Sequence, residues 1–179
     1  MKYKHAQTLY LLILTSCFLA MPTQAETLGG QWNLYINGVV MPASCTSEVT
    51  EMTQSLGEWR SQNLKTIGQT TEPSNIHVHL TGCDASITGT TVTVTGMSDA
   101  NDASLLALNN SGKDGVATGV AIQLTDSSGE SISINNSTLS VPLTPGDNDI
   151  LFHAAYKVTQ VPVHGGDANA VMYMDFVYQ

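Results

Sequence analysis

Positive charge is scarce in this chain, with six Lys and Arg against fifteen Asp and Glu. Lys2 and Lys4 stand at the extreme N-terminus. Residues 26–179 therefore carry four basic side chains, Arg60, Lys65, Lys113 and Lys157, against all fifteen acidic ones, a formal net charge of −11. Such a balance opposes binding to nucleic acid or anionic lipid and favours solubility or a basic partner. Signatures of catalysis are missing too. No Gly-x-Ser-x-Gly elbow and no phosphate-cradling glycine loop occurs, and no Ser or Cys sits in an activated setting, so no enzyme is expected. Gly29-Gly30 and Gly165-Gly166 read as turn or linker glycines. Cysteine is limited to Cys17, Cys45 and Cys83, too few and too isolated from His for a metal site. No cofactor or metal is expected. The apolar run Leu9–Ala20 falls short of the roughly 20 residues that span a bilayer, so membrane insertion is not expected.

That run, preceded by Lys2 and Lys4 and followed by Thr23-Gln24-Ala25, reads as an export signal over residues 1–25. Leu14-Thr-Ser-Cys17 also fits a lipoprotein box, but the apolar run continues through Phe18, Leu19 and Ala20. Cleavage after Ala25 leaves 154 residues, enough for one domain with its own core. It also leaves two cysteines. In an oxidising compartment Cys45 and Cys83 read as one disulfide, worth about 3–4 kcal/mol in the chain-entropy account.

The remaining chain is a series of short runs rich in Thr, Val and Ile, separated by Gly, Asn, Asp and Ser. Ile76–Leu80, Ile87–Val94, Val116–Leu124, Ile132–Ile134 and Asp149–Val158 are the expected strands, and their spacing argues for an all-β sandwich. Only Asp102–Leu108 has a helical look, and a single turn or extended segment fits it equally. His77 and His79 share one strand face and are of a type that binds metal in pairs. With no Cys, Asp or third His nearby in sequence, they are assigned to the solvent face.

A strand stands at each end. Trp32, Leu34, Ile36, Gly38 and Val40 alternate with Asn33, Tyr35, Asn37 and Val39. Near the C-terminus Ala170, Met172, Met174, Phe176 and Tyr178 share a face. Burying Trp32, Leu34, Ile36 and Val40 is worth about 6–12 kcal/mol before ordering costs. The first strand serves either its own sheet or that of another chain.

These pieces together resemble the structural subunits of chaperone–usher fimbriae, the pilins of type 1 fimbria-like systems. The resemblance rests on Asn33-Leu-Tyr-Ile-Asn-Gly-Val-Val40 leading to Cys45, on Leu56-Gly57, and on Ile76-His-Val-His-Leu-Thr-Gly-Cys83. It continues in Gly119-Val-Ala-Ile-Gln-Leu-Thr-Asp126, Phe152-His-Ala-Ala-Tyr156, Gly165-Gly166 and the closing Tyr178-Gln179. Gln160-Val-Pro-Val163 and Leu143-Thr-Pro-Gly146 look most like a minor, tip-proximal subunit. The resemblance implies an incomplete immunoglobulin-like sandwich lacking its last strand and completed by a donor strand. Residues 26–42 would be the donor extension and 43–179 the pilin domain, with no further domain. A PapD-like periplasmic chaperone, contacting Met172, Met174, Phe176, Tyr178 and Gln179, would deliver the subunit to an outer-membrane usher. The arm Trp32–Val40 would then replace the chaperone strand in a neighbouring pilin. The implied function is a structural subunit of a surface fimbria with a role in cell adhesion. A single-domain receptor-binding adhesin of the same system is the alternative.

Overall fold

A computed structural model describes Asn37, residues 43–47 and residues 51–179. The export signal and the arm Trp32–Val40, apart from Asn37, lie outside these described residues. Asn37 itself is exposed and not in a strand.

Among the described residues eight strands follow one another: β1 (Thr46–Ser47), β2 (Ser74–Cys83), β3 (Gly89–Gly96), β4 (Val120–Asp126), β5 (Ser131–Ile132), β6 (Thr138–Pro142), β7 (Gly146–Val158) and β8 (Met172–Tyr178). They form two sheets, a five-stranded one in the order β1-β2-β7-β4-β5 and a three-stranded one in the order β6-β3-β8. Every ladder between these strands is antiparallel. The fold is the expected all-β sandwich.

Alternation decides which side chains fill it. In the larger sheet Ile76 lies opposite Phe152, Val78 opposite Ile150 and Leu124 opposite Ala154. In the smaller sheet the inward row runs Leu139, Val92, Phe176. Phe152 is fully buried, and Leu80, Val92, Val94 and Val158 nearly so. Ile134, just beyond β5, is fully buried as well. The Thr90 hydroxyl belongs to this interior. Thr90 is buried and its Oγ1 donates to the Val177 carbonyl on β8 at 3.2 Å, so the buried group keeps a partner.

Cys45 and Cys83 are bonded, with Cα atoms 4.1 Å apart, and join the segment entering β1 to the end of β2. Both are buried. The register between β2 and β7 shifts between Leu80 and Cys83, where Gly82 takes a φ of +60°. That conformation suits a residue without a Cβ.

The expected strand positions hold for β2, β3, β7 and β8, whereas of the run expected over Ile132–Ile134 only Ile132 lies in a strand, β5, and Ile134 opens the turn that follows. The run expected over Val116–Leu124 is a strand only from Val120. Before it, Val116 and Thr118 make single bridges to Asp167 and His164. Asp102–Leu108 forms no helix: turns lead into an extended residue, Leu106, bridged to Ser98 and Ile122. Leu105, Leu106, Ala107 and Leu108 are all buried, a continuous apolar stretch with no period to tell a helix from a turn or extended segment, and of those three readings the turn and the extended segment hold.

Candidate functional site

A sheet edge is a row of unpaired backbone donors and acceptors, and a folded protein normally blunts it. Among the described strands the two sheets end in β1, β5, β6 and β8. The first two are two residues long each. β6 carries exposed Thr138 and Ser140 and ends in Pro142. β8 is different. It has seven residues, Met-Tyr-Met-Asp-Phe-Val-Tyr, with no proline and a single charge. Its ladder to β3 occupies one side, from Gly96–Met172 to Thr90–Tyr178, and no described strand pairs with the other.

The packing beneath this edge is unfinished. On β3 the inward Thr90, Val92 and Val94 are each 1% exposed. One strand away, Met172, Met174, Phe176 and Tyr178 point to the same interior but are only half-buried against the core. Cover is thus complete at the centre of the sheet and thin at its rim. Partial burial also pushes the Tyr178 phenol above its ordinary pKa. The five side chains foreseen on one face of the closing segment, Ala170 with these four, all pack against the core there. Gln179 is not with them. Its side-chain amide donates to Thr91 Oγ1 at 2.8 Å on the outer face, and its backbone N–H donates to the Gly89 carbonyl at 2.9 Å. The far side of β8 carries Tyr173 and Val177, both well exposed, a feature the sequence reading left unused. Alternation alone would have found it, because every second residue of this strand had to face outward.

The histidine pair lies elsewhere, on the outer face of the larger sheet. His77 Nδ1 is 2.9 Å from Asp149 Oδ2, and His79 Nδ1 is 3.7 Å from Asp149 Oδ1. The carboxylate arrives from β7, 72 positions along the chain, and lies directly opposite His79 in the register. Sequence proximity could not show it. All three side chains are at least two-fifths exposed, and such exposed pairs contribute little. No group of three His, Cys, Asp or Glu among the described residues is arranged to hold a metal ion. On the same face a hollow of about 140 Å³ is lined by Thr70, Thr71, Pro73, Gln123, Thr125, His153 and Ala155. It is below the size of an ordinary small-molecule site.

A two-layer β-sandwich with a long, apolar edge that no described strand pairs is suited to association by strand pairing. Residues 34–179 match the fimbrial protein family, and the chain belongs to that family. It is 34% identical over 146 residues to the S-fimbrial protein subunit SfaG of Escherichia coli O6:K15:H31, covering 80% of this chain and 81% of that one. It is 32% identical over 153 residues to the fimbrial-like protein YcbU of Escherichia coli K12, covering 83% and 85%. Among solved structures, a chain of a chaperone–usher pilus superposes with a TM-score of 0.64 at 21% identity, covering 84% of this chain and 96% of that one. The fold is therefore that of chaperone–usher pilus subunits, and the protein is a fimbrial subunit of that type. Its kind implies pilin partners, a chaperone and usher system, and a surface fimbria assembled by way of the periplasm.

Proposed function

We propose that this chain is a structural, non-enzymatic pilin that polymerises by donor-strand exchange. In this reading residues 1–25 are removed on export, residues 26–42 form the donor arm, and residues 43–179 form the receiving domain. The observation that carries the proposal is the edge of β8, which no described strand pairs, above the half-covered Met172, Met174, Phe176 and Tyr178. A donated strand would satisfy the backbone of that edge and complete the cover beneath it. The periplasmic chaperone, of the PapD-like kind, holds this edge first. The arm of a neighbouring subunit, with Trp32, Leu34, Ile36, Gly38 and Val40 facing inward, replaces it at the outer-membrane usher. The fibre then serves adhesion of the cell that carries it.

Deleting residues 26–40 and expressing the remainder with its chaperone tests the reading. The truncated chain is expected to bind the chaperone and to be absent from internal positions of fibres, because it has no arm to donate. Normal incorporation along the fibre would show that the arm is not the link. A receptor-binding adhesin without a polymerising role would instead display glycan binding and be indifferent to loss of the arm.

A further inference from the structure

β8 presents a second face that inward packing does not explain. Val171, Tyr173 and Val177 are each more than half exposed, and so is Met97. The ladder sets Thr95 opposite Tyr173 and Thr91 opposite Val177, so these residues share the outer face of the three-stranded sheet with Asp175. Read along the strand, this face is apolar, charged, apolar: Tyr173, Asp175, Val177. The arm carries a matching set on its own outward face: Tyr35, Asn37, Val39.

We propose that the arm of a second copy of this chain docks along β8 in the register that sets Asn37 opposite Asp175. Tyr35 and Val39 then cover Tyr173 and Val177 on the outer face. This rests on the donor-strand reading and adds to it a register and a second recognition surface. A slip of one residue turns Trp32, Leu34, Ile36 and Val40 outward. A slip of two sets Tyr35 or Val39 against the Asp175 carboxylate and Asn37 against an apolar side chain, exchanging matched cross-strand pairs for mismatched ones. In the proposed register the Asn37 amide donates to the Asp175 carboxylate. The assignment is the same for either strand polarity, because Asn37 and Asp175 are the midpoints of their sets. On the inner face Gly38 then lies level with Met174 or Phe176, and the missing side chain leaves room for a large one.

The experiment uses fibres assembled from the full-length chain with its chaperone and usher. Asn37→Asp places like charges opposite each other, and subunit dissociation is expected to quicken about two- to five-fold. Adding Asp175→Lys to the same chain restores wild-type persistence, and both effects shrink near 1 M salt, where the screening length is about 3 Å. In a second measurement, Asn37→Cys with Asp175→Cys cross-links successive subunits into a covalent ladder on oxidation, because directly opposite Cβ atoms lie about 4.5–5.5 Å apart. Tyr35→Cys with Asp175→Cys does not. Asn37 and Asp175 are both exposed, so the variants retain the fold. Absence of charge rescue, or a ladder from the Tyr35 pair in place of the Asn37 pair, overturns the register. Fibres that form without any arm overturn the donor-strand reading instead.

Discussion

Gly119 shows how much one missing methyl group decides. Its φ is +82°, and an added Cβ would collide with the backbone carbonyl oxygen of Gln160. The segment after β7 is thereby clamped to the start of β4, with Thr159 and Gln160 both donating their N–H groups to the Gly119 carbonyl. Gly119→Ala is expected to destabilise the domain by at least about 2 kcal/mol, from backbone strain and displacement of a neighbouring chain. Gly112 has nearly the same φ, +83°, but open space around it, so Gly112→Ala should cost about 1 kcal/mol. Urea midpoints of the two variants separate clash from strain. A second residue has a pH signature. Asp126 accepts from the Ser128 hydroxyl at 2.6 Å and from the N–H groups of Ser128 and Glu130 at 2.8 and 2.9 Å. The Ser128 hydroxyl, chiefly, holds its carboxyl below the usual value. A group depressed in the folded state contributes stability above its unfolded pKa of about 4, and the contribution is lost as pH falls through the lower folded value. Asp126→Asn is therefore expected to be less stable than wild type at pH 7, with the gap closing below about pH 4 in acid unfolding curves. The turn Asp126-Ser-Ser-Gly129 was legible from composition. The clamp at Gly119 was not, because its partner stands some forty positions away and no local pattern announces it.

At the scale of elements, β8 holds the chain's main liability and its main use. Its inward row is half-covered and its edge is unpaired among the described strands. Met174→Glu places a charge under the edge, where the existing half-exposure lets the domain tolerate it. A strand laid over it would bury that charge without a partner, at a cost of several kcal/mol. The expected outcome is a variant that folds with its chaperone but gives few or no fibres, read by electron microscopy and by the ratio of assembled to periplasmic subunit. The alternation of β8 and of β2 and β7 was plain in the sequence because each has one buried and one wet face. β6 escaped notice: Thr138-Leu-Ser-Val-Pro142 is short and mostly polar, and only pairing with β3 makes it a strand. Asp102–Leu108 stayed open between helix, turn and extended segment, since a continuous buried run carries no period to read, and the structure makes it turn and extended chain.

For the whole molecule, the Cys45–Cys83 bond ties the edge of one sheet to the domain interior. Replacing both cysteines with Ser is expected to cost about 3–4 kcal/mol and to lower Tm by on the order of 10 °C, measured by thermal unfolding of the chaperone-bound subunit. The sequence by itself determined the fold class, the disulfide and the two faces of the closing strand. Each depends on local chemistry or on a count: β-branched alternation, two thiols in an oxidising compartment, period-two patterning. Only the tertiary structure decided which strand lies uncovered, since being an edge belongs to the order β6-β3-β8 and not to any residue within β8. It likewise decided that Asp149 meets His77 and that Gln179 turns away from the inward row. These contacts join residues far apart along the chain, and the register of paired strands, rather than composition, sets which of them meet.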